Sequence, residues 1–202
     1  MLFRSRILAL SFSEIGDIFV ASCPLIADSL CVTHNDLMHG LDYSGQTVNG
    51  WLVQEKFDGV RAVWTGNEFV SRSGNRYPAP AWFTASLPPV PLDGELIIDG
   101  AIPARVAARA FAGDFDEIKF VVFDSPATLG GYAQRHAEAA SFMRGGCQHL
   151  RLADFSRADS ADDLRPKLAA LQARGGEGFM LREPDAPYIA GRSASLLKFK
   201  TS

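Results

Sequence analysis

Cysteine is scarce in this sequence, and its scarcity excludes two kinds of stabilising site. Cys23, Cys31 and Cys147 are the three cysteines among 202 residues, and none belongs to a Cys-x-x-Cys pair or to a cluster with histidine. An odd number of thiols provides no disulfide framework, and a structural zinc site needs closely spaced Cys and His ligands. The sequence therefore predicts neither a disulfide-stabilised nor a zinc-stabilised fold.

Long apolar runs and a strong net charge are also lacking. No segment approaches the roughly 20 consecutive apolar residues that cross a membrane, so no membrane partner is predicted. The apolar share of 47% and the charged share of 21% are ordinary for a globular chain with one sizeable hydrophobic core. The net charge of −3 excludes a uniformly basic surface. A local basic strip would still suffice to bind nucleic acid.

The first 35 residues have no clear hydrophobic period. The apolar run Ile7–Leu10 after a basic start, and a Val20–Cys23 segment that looks like a lipoprotein cleavage site, are typical of an exported leader. Glu14 and Asp17 interrupt the apolar segment that such a leader needs. We therefore predict that residues 1–35 are an N-terminal extension, either a leader or disordered, and the compartment stays open between cytoplasm and periplasm.

Strands dominate the rest of the chain. They are predicted, from apolar alternation or short apolar runs between turn residues, in the segments WLVQEKF, VRAVW, EFVS, LDGELII, IKFVVF, HLRLADF, EGFMLR and SLLKFK. Helices are predicted over residues 103–112, 131–143 and 160–173, with Pro103 in the first turn of its helix. Because the helices intervene irregularly, the pattern favours an α+β domain over a doubly wound parallel sheet.

The segment from Glu55 to Arg61, EKFDGVR, is the strongest candidate for chemistry. A lysine such as Lys56, at a strand end and beside other cations, attacks phosphorus or carbonyl centres once it has lost its proton. Gly59 permits a tight turn with close approach to a ligand, and Arg61 would lie close enough to contact a phosphate. Alone, however, the pattern Lys-x-Asp-Gly describes a solvated turn equally well.

Lysine is rare beside arginine, since only five of the twenty Lys and Arg residues are lysines. Where arginine is the usual cation, a lysine indicates chemistry that a guanidinium does not perform. Lys198 and Lys200 are two residues apart on a predicted strand, so both point to one face. Neighbouring cations repel each other unless an anion lies between them, so this pair favours an anion-binding face over a solvated edge strand protected by charge.

Six segments occur once each and in a fixed order: KFDGVR, SRSG, LDGELI, FVVFD, EGFMLR and LLKFK. Their order resembles the nucleotidyltransferase motifs of ATP-dependent DNA ligases, RNA ligases and mRNA capping enzymes over residues 41–200. The segments SRSGNRYPAPAWFTASLP and GRSASLLKFK are most similar to those of the minimal bacterial ATP-dependent DNA ligases. The resemblance implies the ATP-grasp-like nucleotidyltransferase fold of that superfamily, with mainly antiparallel sheets flanked by helices.

The resemblance also implies a reaction. Lys56 would attack the α-phosphate of ATP, release pyrophosphate and carry AMP, which then passes to the 5′-phosphate of nicked double-stranded DNA in repair, replication or recombination. Arg72 would contact that 5′-phosphate. Glu177 would hold a divalent metal ion, Mg²⁺ or Mn²⁺, or the reacting phosphate. The chain is expected to act as a monomer.

A further set of residues would bind the nucleotide. The resemblance places Glu95 at the ribose hydroxyl, Phe123 against the adenine ring, and Lys198 and Lys200 at the α-phosphate. The full nucleotide-binding set that it implies is Glu55, Phe57, Arg61, Glu95, Phe123, Glu177, Lys198 and Lys200.

Several of these residues have ordinary structural interpretations as well. Phe123 on an apolar strand is by default a core residue, Glu95 could belong to a surface salt bridge, and Glu177 could lie in a solvated turn. Three functional alternatives also stay open: an RNA ligase, a capping-type enzyme that uses GTP, and an inactive nucleotide- or nick-binding module. The preference for ATP over GTP depends on the resemblance alone.

The resemblance finally predicts a domain organisation. Residues 36–202 would form the adenylation domain, and the C-terminal OB-fold domain usual in such ligases is absent from this chain. The resemblance implies that the OB-fold domain brings a basic motif that orients pyrophosphate, so we expect the chain alone to form its AMP adduct slowly. Because OB-folds also bind nucleic acid, we expect the chain alone to seal nicks poorly.

Overall fold

The computed structural model of the protein describes residues 33–143 and 147–201. Most of the predicted N-terminal extension, residues 1–32, lies outside them, so its interpretation stays a prediction. The strands are β1 (Met38–Asp42), β2 (Leu52–Lys56), β3 (Val60–Trp64), β4 (Phe69–Ser71), β5 (Arg76–Tyr77), β6 (Leu92–Ile97), β7 (Lys119–Asp124), β8 (Leu150–Leu152), β9 (Phe155–Arg157), β10 (Gly178–Arg182) and β11 (Gly191–Phe199). The helices are α1 (Ala81–Thr84), α2 (Pro103–Ala112), α3 (Tyr132–Phe142) and α4 (Ala161–Gln172), after a 3-10 turn at His34–Asp36.

The strands form two sheets. Sheet A has the order β1-β11-β10-β2-β9, and sheet B has the order β5-β4-β3-β6-β7-β8. The pairs β1/β11 and β7/β8 are parallel, and the other neighbours are antiparallel. The predicted α+β class with mainly antiparallel sheets is confirmed. Among the described residues, none of the helices is long and apolar enough to cross a membrane.

Alternation along the strands separates a core face from a cavity face in each sheet. In sheet B, Ala62 and Leu96 are buried against the helices α2 and α3, while their neighbours Arg61 and Glu95 line a cavity. Sheet A follows the same rule. Leu181 packs with Leu164 of α4, whereas the flanking Met180 and Arg182 line the same cavity. Each sheet therefore buries one face under helices and turns the other toward its partner sheet.

The core of sheet B is rich in aromatic side chains. Phe69 is fully buried, and its ring centroid lies 4.9 Å from that of Phe120 and 5.2 Å from that of Trp64. Full burial of such a side chain stabilises the fold by about 1.5–3 kcal/mol. This aromatic packing makes sheet B a rigid support for the residues on its opposite face.

A buried ionic cluster joins the two sheets. Asp124 of β7 is 0% exposed, and its carboxylate accepts hydrogen bonds from Arg135 Nε at 2.7 Å and from Arg182 Nη1 at 3.0 Å. Arg182 lies on sheet A and Arg135 lies on α3. A buried charge is tolerated when it is paired and hydrogen-bonded in this way. The cluster therefore fixes the distance between the sheets at the inner end of the cavity.

The structure corrects one predicted strand. The segment HLRLADF forms two strands, with Leu150–Leu152 beside β7 in sheet B and Phe155–Arg157 beside β2 in sheet A. The chain crosses between the sheets at Ala153, whose backbone N–H donates to Val122 and whose carbonyl accepts from the Gln54 side chain. The strand β1, the short strand β5 and the helix α1 were not predicted. The last strand is also longer than predicted, because it begins at Gly191.

Candidate active site

A cavity of about 520 Å³ lies between the two sheets. Its lining contains six cationic side chains and three carboxylates, although the whole chain carries a net charge of −3. The cations are Lys56, Arg61, Arg72, Arg182, Arg192 and Lys198, and the carboxylates are Glu55, Asp93 and Glu95. Burial, and then the positive charges of Arg61 and Arg72, lower the pKa of His39 on the same wall. This concentration of positive charge is suited to a polyanionic ligand.

Lys56 is the last residue of β2, at the point where the chain leaves sheet A for sheet B. The turn that follows needs Gly59, because a Cβ atom there would lie 2.2 Å from the carbonyl oxygen of Leu96. The Lys56 ammonium donates to the carboxylate of Glu177, and the two side chains are 24% and 27% exposed. The nucleophile predicted from the sequence thus lies half-buried at the cavity, with a carboxylate in direct contact.

Glu177 and Lys200 complete this end of the site. Glu177 immediately precedes β10, and its second oxygen lies 3.6 Å from Lys200 Nζ. Lys200 follows the end of β11, while Lys198 lies within it and has its Nζ 3.7 Å from Asp42. We predicted that both lysines point to one anion-binding face of the last strand, but Lys200 lies just beyond that strand and the two side chains have different surroundings. Lys198 lines the cavity, and Lys200 reaches the site through Glu177.

Arg61 and Glu95 are cross-strand partners on the cavity face of sheet B. Burial raises the pKa of Glu95 to about 8, against the opposing effect of the positive charges of Lys56 and Arg61. Arg61 binds Asp93 with two hydrogen bonds, Nε–Oδ1 at 3.0 Å and Nη2–Oδ2 at 2.6 Å. The guanidinium is thus largely engaged by protein groups, and Glu95 is a half-buried acid on the cavity wall.

Phe123 is half-buried on β7 and lines the cavity, so it is not a core residue as its apolar strand alone would suggest. Two guanidinium carbons lie close to its ring centroid, that of Arg182 at 5.3 Å and that of Arg61 at 5.6 Å. Both distances fall within the range of cation–π attraction. The ring is therefore held by two arginines that are themselves fixed by buried aspartates.

Arg72 lies at the exposed rim, in the loop after β4. Ser71 shapes this loop, since its hydroxyl accepts from the Asn75 backbone N–H at 3.0 Å and lies 3.2 Å from the Ser73 hydroxyl. Gly74 has a φ of +82° with the ring of His34 packed against it.

Glu55 and Phe57 also line the cavity, and the Arg151 guanidinium lies 5.4 Å from the Phe57 ring centroid. Every predicted site residue therefore lies in this region.

Gln54 and Arg182 are site residues that the sequence analysis missed. They are 2% and 5% exposed and line the inner end of the cavity beside Phe123. The Gln54 amide nitrogen donates to Tyr132 Oη at 2.8 Å and to the Ala153 carbonyl at 3.3 Å. A carbonyl only accepts, so these bonds fix the orientation of the amide. A signal existed in the sequence, because both are polar residues inside apolar strands.

The arrangement fits a magnesium ion that arrives with a polyphosphate. Within residues 33–143 and 147–201, no three Asp, Glu, His or Cys side chains converge on a common point. One candidate protein ligand is the Glu177 carboxylate, which two ammonium groups already contact. Mg²⁺ is commonly bound by one or two carboxylates together with substrate phosphates and water, and a single well-placed carboxylate satisfies that need.

Known proteins share this fold. No protein-family model matches the chain. A DNA ligase of Haemophilus influenzae is 32% identical over 180 residues, and the match covers 87% of this chain and 67% of that ligase. A solved structure of a Lig E DNA ligase is 30% identical with a TM-score of 0.76, over 82% of this chain and 68% of the other.

A second solved structure, the Chlorella virus DNA ligase-adenylate, has a TM-score of 0.70 at 21% identity, covering 83% of this chain and 68% of its own. At that identity the likeness supports the fold alone. The bacterial ligase of Haemophilus influenzae, at 32% identity over most of both chains, decides the family. The chain therefore belongs to the DNA ligases.

Proposed function

We propose that this chain is the adenylation domain of an ATP-dependent DNA ligase that carries AMP on Lys56 and passes it to the 5′-phosphate at a nick in duplex DNA. One observation supports the proposal above all others. The Lys56 amine lies at the edge of a cation-lined cavity and contacts the carboxylate of Glu177. A nucleophile, a proton acceptor and an anion site are thereby combined within one site.

The first step needs a neutral amine at Lys56. Glu177 is in hydrogen-bond contact with the ammonium and is positioned to accept its proton. The nitrogen then attacks the α-phosphorus, a nitrogen–phosphorus bond forms, and the bond from phosphorus to the β-phosphate oxygen breaks to release pyrophosphate. Lys198 and Arg192 line the same cavity and supply positive charge for the phosphate oxygens. Mg²⁺ bound with the phosphates would neutralise further charge, and Glu177 would be among its ligands while that carboxylate is ionised.

The inner end of the cavity has the groups to recognise adenine. Phe123 offers a ring face, Gln54 presents its amide oxygen, and the Arg182 Nη2 group donates to no protein acceptor among the described residues. Adenine carries an amino group that donates and a neighbouring ring nitrogen that accepts, whereas guanine has the opposite polarity at these two positions. The pair of Gln54 and Arg182 therefore favours ATP over GTP.

The rim of the cavity has the groups to receive DNA. Arg72 is exposed beside the opening, and its fork of N–H donors suits a terminal phosphate. Transfer of AMP to that phosphate requires it to approach the phosphorus bound to Lys56, and Arg72 lies on the wall that would guide it. The domain assignment, with the adenylation domain over residues 36–202, and the monomeric state belong to the same proposal.

The test is intact-mass spectrometry of the purified chain after incubation with ATP and Mg²⁺. We expect a gain of one AMP group in the wild type and in Lys167→Ala, which removes an exposed lysine of α4, and no gain in Lys56→Ala. Chelation of Mg²⁺ should also prevent the gain. Equal labelling of Lys56→Ala, or no labelling of the wild type, would contradict the proposal.

Two further arms separate the alternatives. GTP in place of ATP should give no adduct, and labelling by GTP would indicate a capping-type enzyme. After adduct formation, nicked duplexes with deoxyribose or ribose at the nick are compared for AMP transfer. A strong preference for ribose would indicate an RNA ligase, because the 2′-hydroxyl distinguishes the two nucleic acids.

A further inference from the structure

Tyr188 lies at a junction of three chain segments. Its hydroxyl donates to Asp93 Oδ2 at 2.7 Å and accepts from the backbone N–H of Met38 at 3.1 Å. Asp93 belongs to β6 of sheet B, Met38 begins β1 of sheet A, and Tyr188 lies between β10 and β11. One hydroxyl thus connects both sheets on the wall of the cavity, which all three residues line.

The same two partners hold Arg61. The Asp93 carboxylate accepts from Arg61 through both oxygens, and the Met38 carbonyl accepts from Arg61 Nη1 at 2.7 Å. Arg61 Nη2 lies 3.4 Å from the Tyr188 oxygen. Because Tyr188 and Arg61 share Asp93 and Met38, a movement of either partner changes the position of the guanidinium.

We propose that Tyr188 is a positioning residue that acts through Arg61. By fixing the Asp93 carboxylate and the Met38 backbone, its hydroxyl holds the Arg61 guanidinium beside Phe123, where the nucleotide binds. This inference rests on the proposed function of the cavity. Arg61 has one N–H of Nη1 without an acceptor among the described residues, and that donor reaches the nucleotide when the guanidinium is held in place.

Tyr188 is itself well fixed. The Arg135 guanidinium lies 5.6 Å from its ring centroid, and Arg135 Nη1 donates to the carbonyl of Ala186 at 2.9 Å. Burial, and then the negative charge of Asp93, raise the pKa of Tyr188 above its ordinary value. The hydroxyl therefore keeps its proton and acts as a donor to Asp93 throughout the neutral pH range.

The test is a double-mutant cycle between Tyr188→Phe and Arg61→Gln. Tyr188→Phe removes one oxygen atom and retains the ring. We expect it to raise the apparent KM for ATP in lysyl-AMP formation about tenfold, with a smaller change in the maximal rate, as for the loss of about one hydrogen bond. In the Arg61→Gln background, Tyr188→Phe should have little further effect, since its action passes through Arg61. Tyr43→Phe is the matched control, because Tyr43 packs against Phe199 outside this cavity.

A second measurement tests the role of Tyr188 independently of lysyl-AMP formation. Calorimetric titration of AMP into Lys56→Ala protein, with and without Tyr188→Phe and Arg61→Gln, should show the same non-additive loss of affinity. If the wild type formed no lysyl-AMP, the proposed chemistry would fail while this titration still decided the role of Tyr188. Full additivity of the two changes, an unchanged AMP affinity in Tyr188→Phe, or no AMP binding by Lys56→Ala would overturn the inference.

Discussion

The carboxylate of Glu177 accepts a hydrogen bond from the ammonium group of Lys56, across the paired strands β10 and β2. The pairing places Gly178 opposite Lys56, and Gly178 leaves room because a Cβ atom there would lie 2.7 Å from the Phe199 carbonyl. Strand register therefore sets the Glu177 carboxylate beside the Lys56 amine.

The first prediction concerns this contact. Glu177→Gln retains the shape of the side chain but removes the carboxylate that we propose takes up the lysine proton, and we expect lysyl-AMP formation to slow by about 100-fold or more. The rate is measured by quenching with acid and counting labelled protein. Glu183→Gln, at an exposed position after β10, is the control and should retain the wild-type rate. A Glu177→Gln rate within about twofold of wild type would exclude this role.

The second prediction concerns pH. The pKa of Glu95 in the folded protein is about 8 against an ordinary value of 4.5, so the folded state binds a proton that the unfolded state has lost between these values. Its contribution to the free energy of unfolding is therefore fully present below about pH 4.5 and declines as the pH rises toward 8. Glu95→Gln should flatten this decline, as followed by thermal unfolding across the range. If the stability of the wild type and of Glu95→Gln changed with pH in the same way, Glu95 would be charged in the folded state.

The third prediction concerns the cluster at Asp124. Asp124→Ala leaves Arg135 and Arg182 buried without their carboxylate, and we expect the free energy of unfolding to fall by about 3–5 kcal/mol. Asp162→Ala removes a carboxylate from an exposed pair with Arg165 and should change stability by no more than about 0.5 kcal/mol. Urea unfolding measures both. Similar losses in the two variants would show that burial of the Asp124 cluster has little energetic consequence.

The fourth prediction separates the two steps of the reaction. Arg72 is an exposed residue of the cavity lining. Arg72→Ala should slow AMP transfer to nicked DNA at least about tenfold more than it slows lysyl-AMP formation, because a single charged phosphate contact is lost. Single-turnover assays with pre-adenylylated protein measure the second step alone. Equal losses in both steps would place Arg72 at the nucleotide instead.

Local patterns predicted most of the regular structure. The helix over Pro103–Ala112 was predicted at its observed bounds, and the strands around Lys56 and Glu95 were predicted within one or two residues. These elements have strong apolar periods and clear turn residues, and such signals need no knowledge of distant contacts. The strand β1 was missed because MHGLD is short and contains a glycine, so its pairing with β11 depends on the rest of the fold.

The candidate site, like the fold, was predicted in part from local sequence and depends in part on tertiary contacts. Motif order directed attention to Lys56, Glu95, Phe123, Glu177 and Lys198, and the structure brings these residues together. Gln54 and Arg182 carry only a weak local signal, as polar residues inside apolar strands, because their importance comes from facing the same cavity. Tyr188 is likewise ordinary in the sequence, and its role depends on Asp93 and Met38, which are 95 and 150 residues away along the chain.

The sequence by itself determined the strand and helix types, the choice of Lys56 as the candidate nucleophile and the resemblance that indicated a nucleotidyltransferase, because each depends on residue type and short spacing. Tertiary structure alone decided which carboxylate contacts Lys56, how burial raises the pKa of Glu95, and where the segment 149–155 crosses between the sheets. The physical reason is that contact, desolvation and strand pairing are relations between distant residues. They come into existence when the two sheets pack, and short-range sequence patterns do not encode them.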